Sequence, residues 1–207
     1  LDELRQYAMK LHTREQAPAE GQAEAPKEKK PFVPTKKGYL RFMEESKIVY
    51  DTFEEIVATN PMYESLRNNG LERGQPLAED ITYAINTWNL TPVEPSSDSV
   101  GSTYAEKLKD LSKSSPPAFI CHYYNHYFAH TAGGRMIGKQ VSEAALDGWM
   151  GKFYKWEGNV KSHLDGVREK LNEMAKGWSE EEKQACLEET PVTFKMSGSL
   201  LKLIAEQ

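Results

Sequence analysis

Three histidines, His122, His126 and His130, recur at four-residue intervals in the string PPAFICHYYNHYFAHTAGGRMIGKQ, which runs from Pro116 to Gln140. On a continuous helix that spacing turns all three toward one face. Two histidines one turn apart match a metal-ligand spacing, but a zinc or di-iron centre also needs carboxylates or cysteines converging from elsewhere. The Glu-x-x-His pattern of di-iron bundles is absent from the chain. Spacing alone therefore favours an aromatic core helix with satisfied histidines over a metal centre. The same stretch runs on into Ala132-Gly133-Gly134-Arg135 and Gly138. A glycine inside a helical pattern costs roughly 1 kcal/mol relative to alanine, so the pair points to a bend or to close backbone approach to something. No strand pattern precedes it, which excludes a dinucleotide or phosphate loop. A further histidine, His12, flanks the apolar stripe of an N-terminal helix. Arg5 lies about two turns before it on the same side and Gln16 one turn after. Taken alone, a histidine beside an apolar stripe reads as structural.

The elements that must position these residues are all helical. Residues 1–18 form an amphipathic pattern through Leu1, Leu4, Ala8 and Leu11, stopped by Pro18. Residues 18–37 are rich in Pro, Ala, Glu and Lys with no periodic apolar positions, the composition of a mobile surface loop. From Gly38 a strong helix resumes, with Leu40, Met43, Val49, Phe53, Ile56 and Val57 as core positions and Asn60-Pro61 as its end. A short helix near 62–68, a helix from Leu71 to Trp88, a loop over 91–102 and a short helix Thr103–Leu111 follow. Beyond Gln140, short pieces carrying Trp and Tyr occupy 141–160, and a helix spans about Val160 to Trp178. Ser179 with Glu182 predicts a capping box, opening a last helix to about Ile204 with a kink at Pro191. No period-two pattern persists, so the fold class is all-α: about seven or eight helices around one core, in a single domain over 1–207.

Bulk properties narrow the function classes. The chain has 207 residues, enough to bury a substantial core. Its net charge of −5 disfavours non-specific nucleic-acid binding. No apolar run approaches the roughly 18 residues of a membrane span. Cys121 and Cys186, the two cysteines, exclude a disulfide framework and a multi-cysteine zinc site. The first residue, Leu1, already belongs to a helical pattern, as in a mature form from which a targeting segment has been removed.

Six strings in order resemble the heme oxygenases of the plant and algal plastid type. They are MKLHTREQA at 9–17, GYLRF at 38–42 with VYDT at 49–52, AFICHYYNHYFAHTAGGRMIG at 118–138, FYKWEG at 153–158, VREKLN at 167–172 and CLEET at 186–190. The resemblance spans essentially the whole chain, and the first and third strings are highly specific. It implies a multi-helical fold that sandwiches heme between a proximal helix and a glycine-bent distal helix. It implies that heme b is both cofactor and substrate, opened with dioxygen to biliverdin (the IXα isomer being usual), carbon monoxide and ferrous iron. Reduced ferredoxin is the implied electron donor, the plastid stroma the implied location, and bilin and phytochrome chromophore synthesis the implied outlet. A monomer without membrane span or nucleic-acid partner is expected.

Residue by residue, the resemblance makes His12 the iron ligand, and Arg5 and Arg168 the anchors of the heme propionates. A guanidinium suits that task through bidentate, charge-assisted bonds to carboxylate. Tyr124 matches a residue at the pocket edge, and Ala129 a small residue of the distal helix. Gly133 and Gly134 match the glycine pair that brings the backbone over the heme face. His130 stands where many animal and bacterial members carry an aspartate that orders water, and is what plant-type members show. Leu164 replaces a second propionate-binding lysine of the animal enzymes, and Gln16 a glutamate beside the proximal histidine in some relatives. Docking of the acidic donor falls to Lys10, Arg14, Lys36, Lys37, Arg41 and Lys139. The alternative is a heme-binding or regulatory paralogue without turnover. Plant paralogues of that kind lack the iron-binding histidine, whereas this chain carries His12.

Overall fold

The computed structural model describes residues 1–11 and 32–206. The described residues form nine α-helices and no strand: α1 (Asp2–Lys10), α2 (Lys36–Thr59), α3 (Gly74–Trp88), α4 (Val100–Ser114), α5 (Pro116–Ala129), α6 (Arg135–Ala145), α7 (Val160–Ala175), α8 (Glu180–Glu188) and α9 (Thr190–Lys202). Single 3-10 turns lie at Pro61–Leu66, Lys152–Tyr154 and Leu203–Ala205.

α2 is the axis of the molecule, packed on α3, on α4 and on the C-terminal turn. It begins where the extended Thr35 accepts the Gly38 amide on its side chain. All six predicted core positions of this helix are buried. At full burial each such side chain contributes about 1.5–3 kcal/mol. The first turn of α4 rests on α2 through a buried carboxylate. Glu45 accepts from Ser99 Oγ at 2.7 Å and from the Gly101 amide at 2.6 Å, placing an anion at the positive helix end. Asn89, left-handed at φ 51°, stops α3, and Asn159 caps α7. The capping box predicted at Ser179 and Glu182 opens α8.

Several boundaries differ from the sequence reading, each for a local reason. The last predicted helix is two: the chain breaks at Glu189, and Pro191 sits in the first turn of α9, where its missing N–H costs nothing. The short helix near 62–68 is a 3-10 turn opened by Pro61, and Asn60 Oδ1 accepts the Met62 amide at 3.0 Å. Lys36 and Lys37, assigned to the 18–37 loop, already belong to α2, and α3 starts at Gly74, after Leu71. α4 is longer than predicted at both ends, and α6 extends to Ala145. Phe32–Thr35 of the 18–37 loop are described and lead into α2, whereas residues 18–31 and the end of the first predicted helix lie outside the described residues, as do His12, Arg14 and Gln16.

Candidate active site

α5 is buried continuously from Pro117 to Tyr127. A helix apolar on all sides belongs in a core, and here Tyr50 and Phe53 of α2 meet it edge-on. The three histidines do share one inward face, and each is held in the protein interior. His122 Nε2 lies 3.0 Å from Glu189 Oε1 and Nδ1 2.8 Å from Tyr104 Oη. A carboxylate only accepts, so the proton sits on Nε2, and Nδ1 takes the tyrosine hydroxyl. Glu189 is also paired with Lys107 at 2.8 Å. Burial lowers the His122 pKa, against the pull of Glu189. His126 packs against the Tyr50 and Phe53 rings at 4.7 and 5.4 Å. Its Nδ1 lies 3.4 Å from Ser197 Oγ, while Nε2 is buried with no hydrogen-bond partner. Burial, reinforced by the neighbouring histidines, pushes it down to about 3. Among the described residues no three metal-ligating groups converge.

At Phe128 the burial pattern changes. Ala129, Ala132, Gly133 and Met136 are exposed, at positions that share one helix face. Met136 leaves 58% of its surface accessible. Beneath this face the α-helix widens into a π segment, His130–Gly134, in which the Arg135 amide bonds the His130 carbonyl five residues back. Such segments insert one extra residue into a turn and are frequent at functional sites. Gly133 and Gly134 thus lie in a π turn, at the place where the sequence predicts a bend or close backbone approach. A Cβ on Gly133 would meet nothing within 4 Å, whereas on Gly134 it would lie 2.9 Å from His130 Nδ1. One glycine keeps the outer face low and the other makes room for the ring inside. Further along, a Cβ on Gly138 would lie 2.5 Å from the Tyr154 ring.

His130 itself points inward, away from the exposed face. Its Nε2 lies 2.8 Å from the Phe153 carbonyl oxygen, and its ring stacks on Phe153 at 3.9 Å. Since the carbonyl can only accept, Nε2 carries the proton and Nδ1 is the acceptor. Burial, aided by the fields of Arg73 and Arg135, pushes its pKa down to about 3, against the bond to Phe153. At physiological pH His130 is therefore neutral, a donor at Nε2 and an acceptor at Nδ1.

A second group converges at the edge of the exposed face. Tyr124 stacks on Phe128 at 4.4 Å, and the Arg168 guanidinium lies 5.3 Å over the Phe128 ring. Burial raises the Tyr124 pKa, while Arg168 and then Arg5 pull it back down. Arg5 projects from the exposed side of α1, whose Leu4 and Ala8 are buried, and α1 packs on α8 and α9. Arg168 is half-exposed and holds Asp165 at 2.6 Å. Leu164 is half-buried one turn before it. The structure thus gathers Arg5, Tyr124 and Arg168 at one edge, Ala129 and Gly133 on the adjoining face, and Gly134 and His130 beneath it. An open apolar face with two guanidinium groups at its rim fits a flat, apolar molecule carrying carboxylates. Not anticipated from sequence were Glu189 and Phe153 as anchors of this helix, although they lie in the CLEET and FYKWEG strings.

The heme oxygenase family model matches residues 2–202. The chain is 47% identical to heme oxygenase 1, chloroplastic, of Arabidopsis thaliana, over 99% of this chain and 73% of that protein. To the probable inactive heme oxygenase 2, chloroplastic, of the same plant it is 41% identical, over 83% and 57%. The crystal structure of heme oxygenase-1 from the cyanobacterium Synechocystis in complex with heme superposes with a TM-score of 0.66 at 19% identity, covering 82% of this chain and 77% of that one. By a family match along nearly its whole length and close identity to a plant member, this chain belongs to the heme oxygenase family.

Proposed function

We propose that this chain opens the heme ring to biliverdin IXα, carbon monoxide and ferrous iron, using dioxygen and electrons from reduced ferredoxin in the plastid stroma. The observation that carries the reading is the exposed Ala129–Gly133 face over a π segment, bordered by Arg5, Tyr124 and Arg168. His12 is the proximal ligand; a neutral imidazole is the usual proximal donor to heme iron. Bound heme supplies the iron that activates dioxygen and the ring that is attacked. The rest belongs to the protein. Arg5 and Arg168 grip the two propionates and so fix the rotation of the ring in its plane. Ala129 and Gly133 keep the distal backbone within reach of the ring, leaving space for a diatomic molecule and little more. Gly134 leaves room for His130, which joins the distal polar network from beneath the face through its acceptor Nδ1 while Nε2 stays anchored. The chain acts as a monomer.

Charge complementarity to an acidic donor is narrower than composition suggests. Lys36 is paired with Asp147 at 2.6 Å, Arg41 with Glu45 at 2.6 Å and Lys139 with Glu143 at 3.8 Å. Lys10 and Lys37 are exposed and have no ion pair among the described residues, and they carry the docking charge together with Arg14. The plastid location is supported by the chloroplastic relatives.

Hemin titration followed by reduced ferredoxin under air tests the reading. A sharp Soret band that converts to biliverdin is expected, and His12→Ala should lose both the band shape and the product. Saturable hemin binding with no bilin would refute turnover and leave the inactive paralogue, a reading disfavoured by the lower identity to that group.

A further inference from the structure

The 3-10 turn Lys152–Tyr154 is clamped by side chains from α3 and the residue before it. Asp80, buried on α3, accepts the Lys152 amide on Oδ1 at 2.8 Å and the Phe153 amide on Oδ2 at 2.7 Å. Arg73, also buried, donates from Nη1 to the carbonyls of Lys152 and Lys155 at 3.2 and 2.6 Å. Its guanidinium lies 4.8 Å from the Trp156 ring centre, and Trp156 in turn lies 5.3 Å from His130. One further carbonyl of the turn, that of Phe153, is the group bound by His130. Gly151 permits the approach, because a Cβ there would collide with the Asp80 carboxylate.

We propose that Asp80, with Arg73, is a positioning residue for the reaction: by holding both ends of the turn it fixes the Phe153 carbonyl, and through it the tautomer and orientation of His130 at the head of the π segment. The proposal rests on reading that segment as the distal wall. A carboxylate suits the task because both oxygens only accept and two amides point at it. Asparagine would present an NH2 group to one of those amides and break the pair. Without the clamp the Phe153 carbonyl is free to move, and His130 loses the bond that keeps Nδ1 as its acceptor. Groups that orient a site residue from behind are worth about 10–100-fold in activity at metal centres, which sets the size of effect to look for.

The test compares Asp80→Asn with Glu79→Gln. Glu79 is the neighbouring exposed carboxylate, which pairs with the Lys152 ammonium group and accepts from Gln75 Nε2 at 3.2 Å but does not touch the backbone of the turn. Long-range proton–nitrogen NMR of histidine-labelled protein without heme reads the His130 tautomer. Hemin titration and separation of the biliverdin isomers then read the reaction. In Asp80→Asn the single Nε2–H pattern of His130 should give way to a mixed one. Bilin formation should fall about tenfold or spread over isomers, with an unchanged hemin midpoint. Glu79→Gln should alter neither. A wild-type His130 pattern in folded Asp80→Asn overturns the clamp. A changed pattern with unchanged rate and isomers overturns the positioning role and, with it, the distal reading of His130. Absence of bilin from the wild type would instead remove the proposed reaction, because the NMR arm reports on the clamp alone. Should Asp80→Asn fail to fold, Arg73→Lys, which frees the carbonyl end while sparing Asp80, is judged by the same two readouts and the same outcomes.

Discussion

Gly133 and Gly134 are adjacent and identical, yet their surroundings predict opposite behaviour. Replacing Gly133 by alanine removes a helix penalty of about 1 kcal/mol, and the new methyl meets nothing within 4 Å. Gly133→Ala should therefore match or exceed the thermal stability of the wild type in the absence of heme. If the face it occupies is the distal wall, bilin formed per bound heme should fall, and further in Gly133→Leu. Gly134→Ala places its methyl 2.9 Å from His130 Nδ1, so the ring must shift out of its stack on Phe153. Stability and product distribution should change together there. Melting curves and isomer analysis on both variants separate the cases. Normal turnover in stable Gly133→Leu would remove the steric role assigned to the face.

At the scale of elements, the start of α2 is bound to the end of the chain. The Thr35 amide donates to the Ile204 carbonyl at 3.0 Å, and Thr35 Oγ1 to that of Glu206 at 2.8 Å. A Cβ on Gly38 would come within 2.5–2.8 Å of three carbonyl oxygens of this turn. Backbone cannot swing aside like a side chain, so Gly38→Ala should cost about 1–3 kcal/mol. For a chain of this length that is a fall of roughly 2–12 °C in Tm. A melting point within a degree of the wild type would show that the turn is free to detach. How well such elements could be read from sequence follows the range of the forces that make them. α2 was legible because its apolar period and its end signal at Asn60-Pro61 are local, and the Ser179 capping box for the same reason. The π segment was legible only as an unexplained expense of two glycines, since no residue pattern encodes a bond five residues back. The inward rotation of His130 followed from its spacing to His122 and His126. Its partner Phe153 did not, because that pairing joins two elements through a backbone carbonyl that carries no residue signature. The edge formed by Arg5, Tyr124 and Arg168 was reachable only through resemblance, as three helices contribute to it.

Over the whole molecule, the inward histidine row sets how stability depends on pH. His122, His126 and His130 are all depressed by burial, the latter two to about 3, whereas an unfolded histidine titrates near 6.5. As pH falls below about 6.5 the unfolded chain takes up protons that the native state refuses. Stability is therefore complete above that pH and is lost toward 3. His126 and His130 can each contribute a slope of up to about 1.4 kcal/mol per pH unit, and His122 adds to it in the same direction. Glu44, Glu54 and Asp80, raised by burial, act with the opposite sign. Their native forms bind protons before the unfolded chain does, so they blunt the loss. Urea unfolding of the heme-free protein between pH 7.5 and 5 should show the histidine slope. His126 isolates one share of it, because its Nε2 is buried and unpartnered and its ring is packed by aromatic neighbours. His126→Phe keeps a ring in the same space and removes the unmet donor or acceptor, which costs about 1–3 kcal/mol when buried. The variant should be at least as stable as the wild type at pH 7.5 and lose stability less steeply on acidification, by up to about 1.4 kcal/mol per pH unit. An unchanged slope would mean that His126 is protonated in the native state or reached by solvent, and would overturn the dry interior that this histidine row implies.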